Sequence, residues 1–154
     1  MDDPTQLSIR AMQRAMEIAG TWIEALPERA INAGATPSQM TAALDEPLPT
    51  AGIPPEDAIS DWMQRAELGI VSTNGPRYFG FVTGGTLPGS LAGDMVASTI
   101  DQNGGIWSMS PAAAQTELVV IRWLKELFAL PMEWHGAMTS GATMSNVVGL
   151  AAAR

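Results

Sequence analysis

Cysteine is absent from this 154-residue sequence, which excludes a disulfide framework, a thiolate nucleophile and a cysteine metal site. Histidine occurs once, at His135, too few for a histidine cluster, so no metal site is expected. Basic residues are scarce: 8 Lys and Arg stand against 16 Asp and Glu, a formal charge of −8, and Lys125 is the only lysine. A nucleic-acid partner needs a basic footprint to neutralise phosphates, and none is present. An anionic membrane surface is disfavoured for the same reason. No apolar run reaches the roughly 18 residues that a membrane-spanning helix needs. The acidic start Met1-Asp2-Asp3-Pro4 has neither the basic nor the apolar stretch of a secretory leader, so a cytoplasmic protein is expected.

What remains is apolar. Hydrophobic residues make up 46% of the chain and charged residues 16%, which argues for a globular chain with a buried core. That charged fraction is low for a chain with so much surface to cover. Part of the surface is therefore expected to be buried against a partner subunit or further polypeptide.

Periodicity and punctuation divide the chain into helices. Leu7, Ala11, Ala15, Ile18, Trp22 and Leu26 recur at helical spacing and end at Pro27, predicting an amphipathic helix. Residues 27–55 are rich in proline and glycine and read as an extended crossing with a short helix at 39–44. A helix is predicted over 56–68, with Ala58, Ile59, Trp62, Met63 and Ala66 on one side. Aromatic and β-branched content makes 76–85 read as extended. A helix of small residues over 88–102 is expected to pack closely, with Pro88 at its first position. Ser110-Pro111 starts a helix reaching about 129 that is apolar over most of its circumference, so burial on several sides is expected. Residues 136–139 read as a short extended stretch before a helix at 143–154. That helix has no stop signal, so the chain is expected to be truncated.

The segment around Thr139-Ser140-Gly141-Ala142-Thr143 holds the chemistry. The first N–H groups of a helix have no internal partner, and the aligned peptide dipoles put partial positive charge there. Gly141 and Ala142 leave room for an anion, and Ser140 and Thr143 can donate hydroxyl hydrogen bonds. Plain helix capping explains most such turns equally well. The spacing is neither that of a P-loop nor of a dinucleotide fingerprint. Lys125 reads as a surface lysine whose stem lies along an apolar helix, and His135 as a loop residue. Glu117 and Glu126 read as ion-paired or solvent-facing, and Trp107 and Trp123 as packing residues.

Three blocks occur in order: Pro76-Arg77-Tyr78-Phe79-Gly80-Phe81, Ser110-Pro111-Ala112-Ala113 leading to Trp123-Leu124, and Thr139 to Asn146 followed by Ala151-Ala152-Ala153-Arg154. Together they resemble the pyridoxal-dependent decarboxylases, a family that includes aromatic-amino-acid and glutamate decarboxylases. The resemblance covers roughly residues 55–154. It implies an α/β architecture, the aspartate-aminotransferase-like PLP fold (fold type I), incomplete and mostly helical in the part present. Residues 1–75 would form an N-terminal arm that clasps the other subunit of a homodimer, and 76–154 the start of the large PLP-binding domain.

The resemblance implies pyridoxal 5′-phosphate as cofactor, with Gly141, Ala142 and Thr143 binding its phosphate. It places Phe81, Val82, Thr83 and Gly84 at the substrate, and the loop 103–107 at the partner's active site. Two departures stand out. Asn74-Gly75 precede Pro76 where relatives often carry histidine, and Thr83-Gly84 replaces the proline-threonine pair of aromatic-amino-acid decarboxylases. The Schiff-base lysine, the aspartate at the pyridine nitrogen and the ring-stacking histidine are all expected beyond Arg154, so no catalytic residue is assigned here. The function expected is that of the N-terminal part of a decarboxylase acting on an L-amino acid, inactive alone. The alternatives are another fold-type-I PLP enzyme, such as an aldehyde lyase or aminotransferase, or a non-catalytic helical interaction protein.

Overall fold

The computed structural model describes residues 3–154; Met1 and Asp2 of the acidic start lie outside the described residues. Six α-helices follow in order: α1 (Pro4–Ala25), α2 (Pro37–Leu44), α3 (Pro55–Ala66) with a 3-10 turn at Glu67–Gly69, α4 (Pro88–Ile100), α5 (Pro111–Leu127) and α6 (Ala142–Ala152). No strand occurs among the described residues. The chain divides into two compact units, Met1–Leu87 and Pro88–Arg154.

Proline sets the helix starts, because its missing N–H is an orphan there in any case. It stands at the opening of α1, α2, α3 and α5. Side chains then satisfy the orphan donors. Asp3 accepts from the Thr5 N–H, Ser110 accepts from the Ala113 N–H, and Thr36 with Gln39 forms a reciprocal capping box.

In the first unit α1 packs on α3, and α2 also packs on α3. The predicted stripe of α1 faces inward: Leu7, Ala11, Ala15, Ile18 and Trp22 are half-buried and Leu26 is buried. On α3, Ile59 and Met63 are half-buried and Ala66 is buried, whereas Ala58 and Trp62 are exposed. Arginines lace the rim of this contact. Arg10 pairs with Glu56 at 2.8 Å, Arg29 with Glu67 at 2.7 Å, and Arg65 with both Glu46 and Asp61 at 3.0 Å. The Arg29 guanidinium also lies 3.9 Å from the Trp22 ring centroid, a cation–π contact. The crossing segment is pinned at Ser72, which is buried, with its hydroxyl donating to the Ala30 carbonyl and its N–H to Ile31.

The structure departs from four expectations, most of them in the second unit. Close packing of α4 is not found, since every residue of Pro88–Ile100 is exposed. Burial of α5 on several sides is not found either: none of its residues is buried, and Trp123 is 59% exposed. Trp107 is likewise exposed, so neither tryptophan is a packing residue within this chain. The extended stretches at 76–85 and 136–139 form no strand, because strands need partners and none is supplied. Residues 80–83 instead form a turn. The only buried residue of this unit is Ser110, the α5 cap.

The surface area gives the scale of the missing burial. The described chain exposes 12206 Å². Two compact bodies dividing its mass would expose about 9,000 Å². Exposed Leu118, Leu127, Phe128, Val147 and Leu150 make up part of the excess.

Candidate functional site

The site is built around the start of α6. The chain enters through Thr139, whose hydroxyl donates to the Gly141 carbonyl at 3.3 Å. Gly141 is the N-cap residue, with φ 168° and ψ 165°, an extended backbone open to any residue. Its carbonyl accepts from the Ser145 N–H at 3.0 Å, closing the first turn. No side chain caps this helix, in contrast to α1, α2 and α5. The N–H groups of Ala142 and Thr143 stand in the first turn, where the helix provides no acceptor. A Cβ built on Gly141 meets nothing within 4 Å, so the space beside the turn is open. Donors without a cap, beside open space, at the positive end of the peptide dipoles, fit an anion of phosphate size.

The other predicted residues, 81–84, lie in the first unit. Phe81 and Val82 carry φ of 49° and 58°, the left-handed region in which a β-branched side chain is strained. The turn is closed by Thr83, whose N–H and hydroxyl both donate to the Gly80 carbonyl, at 3.2 and 2.8 Å. Phe81 and Val82 are almost wholly exposed, at 96% and 104%. In the loop 103–107, the Asn103 side chain accepts from the Gly105 N–H at 2.9 Å and Trp107 is exposed.

Two residues carry more structure than their sequence positions suggested. The Lys125 ammonium donates to the carbonyls of Met132 and Trp134 at 2.8 and 2.9 Å, so it is a tether rather than a solvated surface group. Glu117 accepts from the Met138 N–H at 2.8 Å, three residues before Gly141. Glu126 pairs with Arg122 at 3.9 Å on the open face of α5. His135 is exposed and borders an open recess of about 180 Å³ beside Ile121, Leu124 and Trp134. Among the described residues no group of three or more His, Cys, Asp or Glu could hold a metal. No helix among them is long and apolar enough to cross a membrane.

The helical arrangement recurs in solved PLP enzymes. The crystal structure of Oryza sativa TDC with PLP superposes with a TM-score of 0.78 at 20% identity, over 92% of this chain and 30% of that one. That of Rhodiola rosea 4-hydroxyphenylacetaldehyde synthase gives 0.69 at 26% identity, over 84% and 27%. The fold is thus part of the fold-type-I PLP architecture, represented here by helices alone. Residues 37–154 match the family described as the pyridoxal-dependent decarboxylase conserved domain, and the chain belongs to that family. Histidine decarboxylase of Drosophila melanogaster is 30% identical over 110 residues, 71% of this chain and 13% of that protein. Tyrosine decarboxylase 2 of Narcissus pseudonarcissus is 29% identical over 105 residues, 64% of this chain and 21% of that protein. Aromatic-L-amino-acid decarboxylase of Cavia porcellus is 25% identical over 154 residues, 94% of this chain and 32% of that protein. The chain therefore spans between 13% and 32% of these relatives' lengths.

Proposed function

We propose that these 154 residues are the N-terminal part of a PLP-dependent carboxy-lyase acting on an L-amino acid. The supporting observation is the uncapped start of α6, open beside Gly141, in a chain of the decarboxylase family. In this reading the N–H groups of Gly141, Ala142 and Thr143, with the Thr143 hydroxyl, hold the cofactor phosphate. Once bound, the cofactor supplies the electron sink that lets a substrate carboxylate leave as carbon dioxide. The residues 81–84 shape one wall of the substrate pocket, where Phe81 and Val82 exclude water and Thr83 and Gly84 replace the bulk of a proline.

In this reading Lys125 does not bond the cofactor, which is supported by the two carbonyls that its Nζ holds. That lysine is assigned to polypeptide outside these 154 residues. The division at residue 75 into a clasping arm and a cofactor domain belongs to the same proposal, as do homodimerisation and a cytoplasmic setting. Support for a partner subunit comes from α1, whose outer face exposes Met16 and Ile23.

A second reading is favoured by the 26% identity to the aldehyde synthase of Rhodiola rosea: an aldehyde-forming PLP enzyme. One experiment separates the two. The complete protein is loaded with pyridoxal 5′-phosphate and offered the common L-amino acids, and carbon dioxide and the organic product are identified. Carbon dioxide with an amine supports the first reading, and an aldehyde supports the second. A protein that acquires no visible cofactor absorption and releases no carbon dioxide contradicts both.

A further inference from the structure

The path from α5 to α6 is held in register by α5 itself. Three residues after its last helical residue, the chain has already reversed. Ala129 takes a left-handed φ of 51°, its N–H donates to the Glu126 carbonyl at 3.3 Å, and the Leu130 N–H donates to the Lys125 carbonyl at 2.9 Å. This is the Schellman arrangement of a helix end, here with alanine in place of glycine. It sends the following segment back along the helix it has just left.

Three side chains of α5 then meet that segment in order. Lys125 takes the carbonyls of Met132 and Trp134, Ile121 lies against Gly136, and Glu117 takes the N–H of Met138. A Cβ added at Gly136 would stand 3.4 Å from Ile121 Cγ2. The steps match in length. Four helical residues advance about 6 Å, and two residues of extended chain advance about 6.6 Å. A stripe at positions 117, 121 and 125 therefore meets positions 138, 136 and 134 with little accumulated error. Each end of the stripe is a charged group on a backbone partner, which makes stronger and more directional bonds than neutral pairs do.

We infer that Glu117 and Lys125 are positioning residues: with Ile121 between them, they set where Met138 lies along α5, and hence where the N–H groups of the α6 start are aimed. The inference rests on the phosphate reading given above. Neither side chain touches the anion. Glu117 acts two residues upstream of Ser140 through the backbone, and Lys125 sets the far end of the same run. The consequence is specific to the phosphate, since only that part of the cofactor is held by the α6 start.

The test uses the complete protein, stripped of cofactor and titrated separately with pyridoxal 5′-phosphate and with pyridoxal, which lacks the phosphate. The ratio of the two dissociation constants measures the contribution of the phosphate site. Glu117→Leu, which removes one hydrogen bond to a charged group, and Lys125→Met, which removes two, are each expected to raise the pyridoxal 5′-phosphate constant relative to that of pyridoxal by about tenfold. Pyridoxal affinity should stay near the parent value. Glu117→Gln keeps an acceptor for the Met138 N–H and is expected to restore the ratio, which a loss of general stability would not allow. Slowed exchange of the Met138 amide in the parent and in Glu117→Gln, lost in Glu117→Leu, provides a readout independent of the cofactor. Folded variants that keep the parent ratio overturn the inference while leaving the phosphate reading intact. A parent protein that binds both compounds equally overturns the phosphate reading and the inference together.

Discussion

The two units of this chain are each built around three α-helices, yet they hold themselves differently. The first, Met1–Leu87, buries Leu26, Ala66 and Ser72 and ties its helices together through Arg10, Arg29 and Arg65. The second, Pro88–Arg154, buries only Ser110 and relies on caps and tethers within one helix and its returning loop. Local chemistry is enough to define a helix; burying its apolar face takes another surface. The first unit has that surface in α3, and the second leaves Trp123, Phe128 and Leu150 exposed.

The contrast can be broken most severely at Leu26. Leu26→Ala removes a buried side chain where α1 ends, and is expected to cost the first unit about 2–3 kcal/mol. Urea unfolding followed by amide exchange should show the loss in α1 and α3 and leave α5 unchanged. Equal loss in both units would mean that they are not separate in stability.

Thr143→Val is isosteric and keeps the second unit's packing while removing a hydroxyl donor. Cofactor affinity of the complete protein is expected to fall by about tenfold, with its melting temperature unchanged. Ser110→Ala removes the buried cap of α5 and leaves the Ala113 N–H unpaired, at an expected cost of about 1 kcal/mol to that helix. Circular dichroism of the second unit's melting checks this, and the first unit's transition should not move.

The smallest effect is that of pH on the rim of the first unit. The hydrogen bond from Arg65 holds the Glu46 carboxyl below its ordinary value of 4.5, and that from Arg10 does the same for Glu56. A carboxylate with a lowered folded pKa stabilises the fold fully above the ordinary value and loses that contribution as pH falls through the lowered one. The urea midpoint of the first unit should thus decline only in the acid range. Glu46 is exposed and Glu56 half-buried, so salt should shrink the Glu46 part of the decline more than the Glu56 part. Glu56→Gln should remove the Glu56 part of it.

Much of this arrangement was legible in the sequence where one residue type dictates one geometry. The prolines at 88 and 111 mark helix starts, and the spacing from Leu7 to Leu26 names the inward face of α1, whereas α1, α2 and α3 begin at Pro4, Pro37 and Pro55, ahead of the starts at 7, 39 and 56 that periodicity predicts. The turn before Ala142 was also legible, because small residues ahead of a helix leave room whatever surrounds them. Burial of α4 and α5 was not. Periodicity states which face needs covering, and the cover is not in these residues. The aromatic run at 76–85 suggested extended chain, but without a neighbouring strand it closed into a turn through Phe81 and Val82. The tethers at Glu117 and Lys125 were hidden because they depend on Ala129 taking a left-handed conformation, which nothing about alanine signals.

The central claim concerns where a phosphate sits. A structure of the complete protein with pyridoxal 5′-phosphate tests it most directly. The account predicts phosphate oxygens within about 3 Å of the Ala142 and Thr143 nitrogens, the distance of a charge-assisted hydrogen bond. A phosphate bound elsewhere, with the α6 start facing solvent or packed side chains, would contradict it.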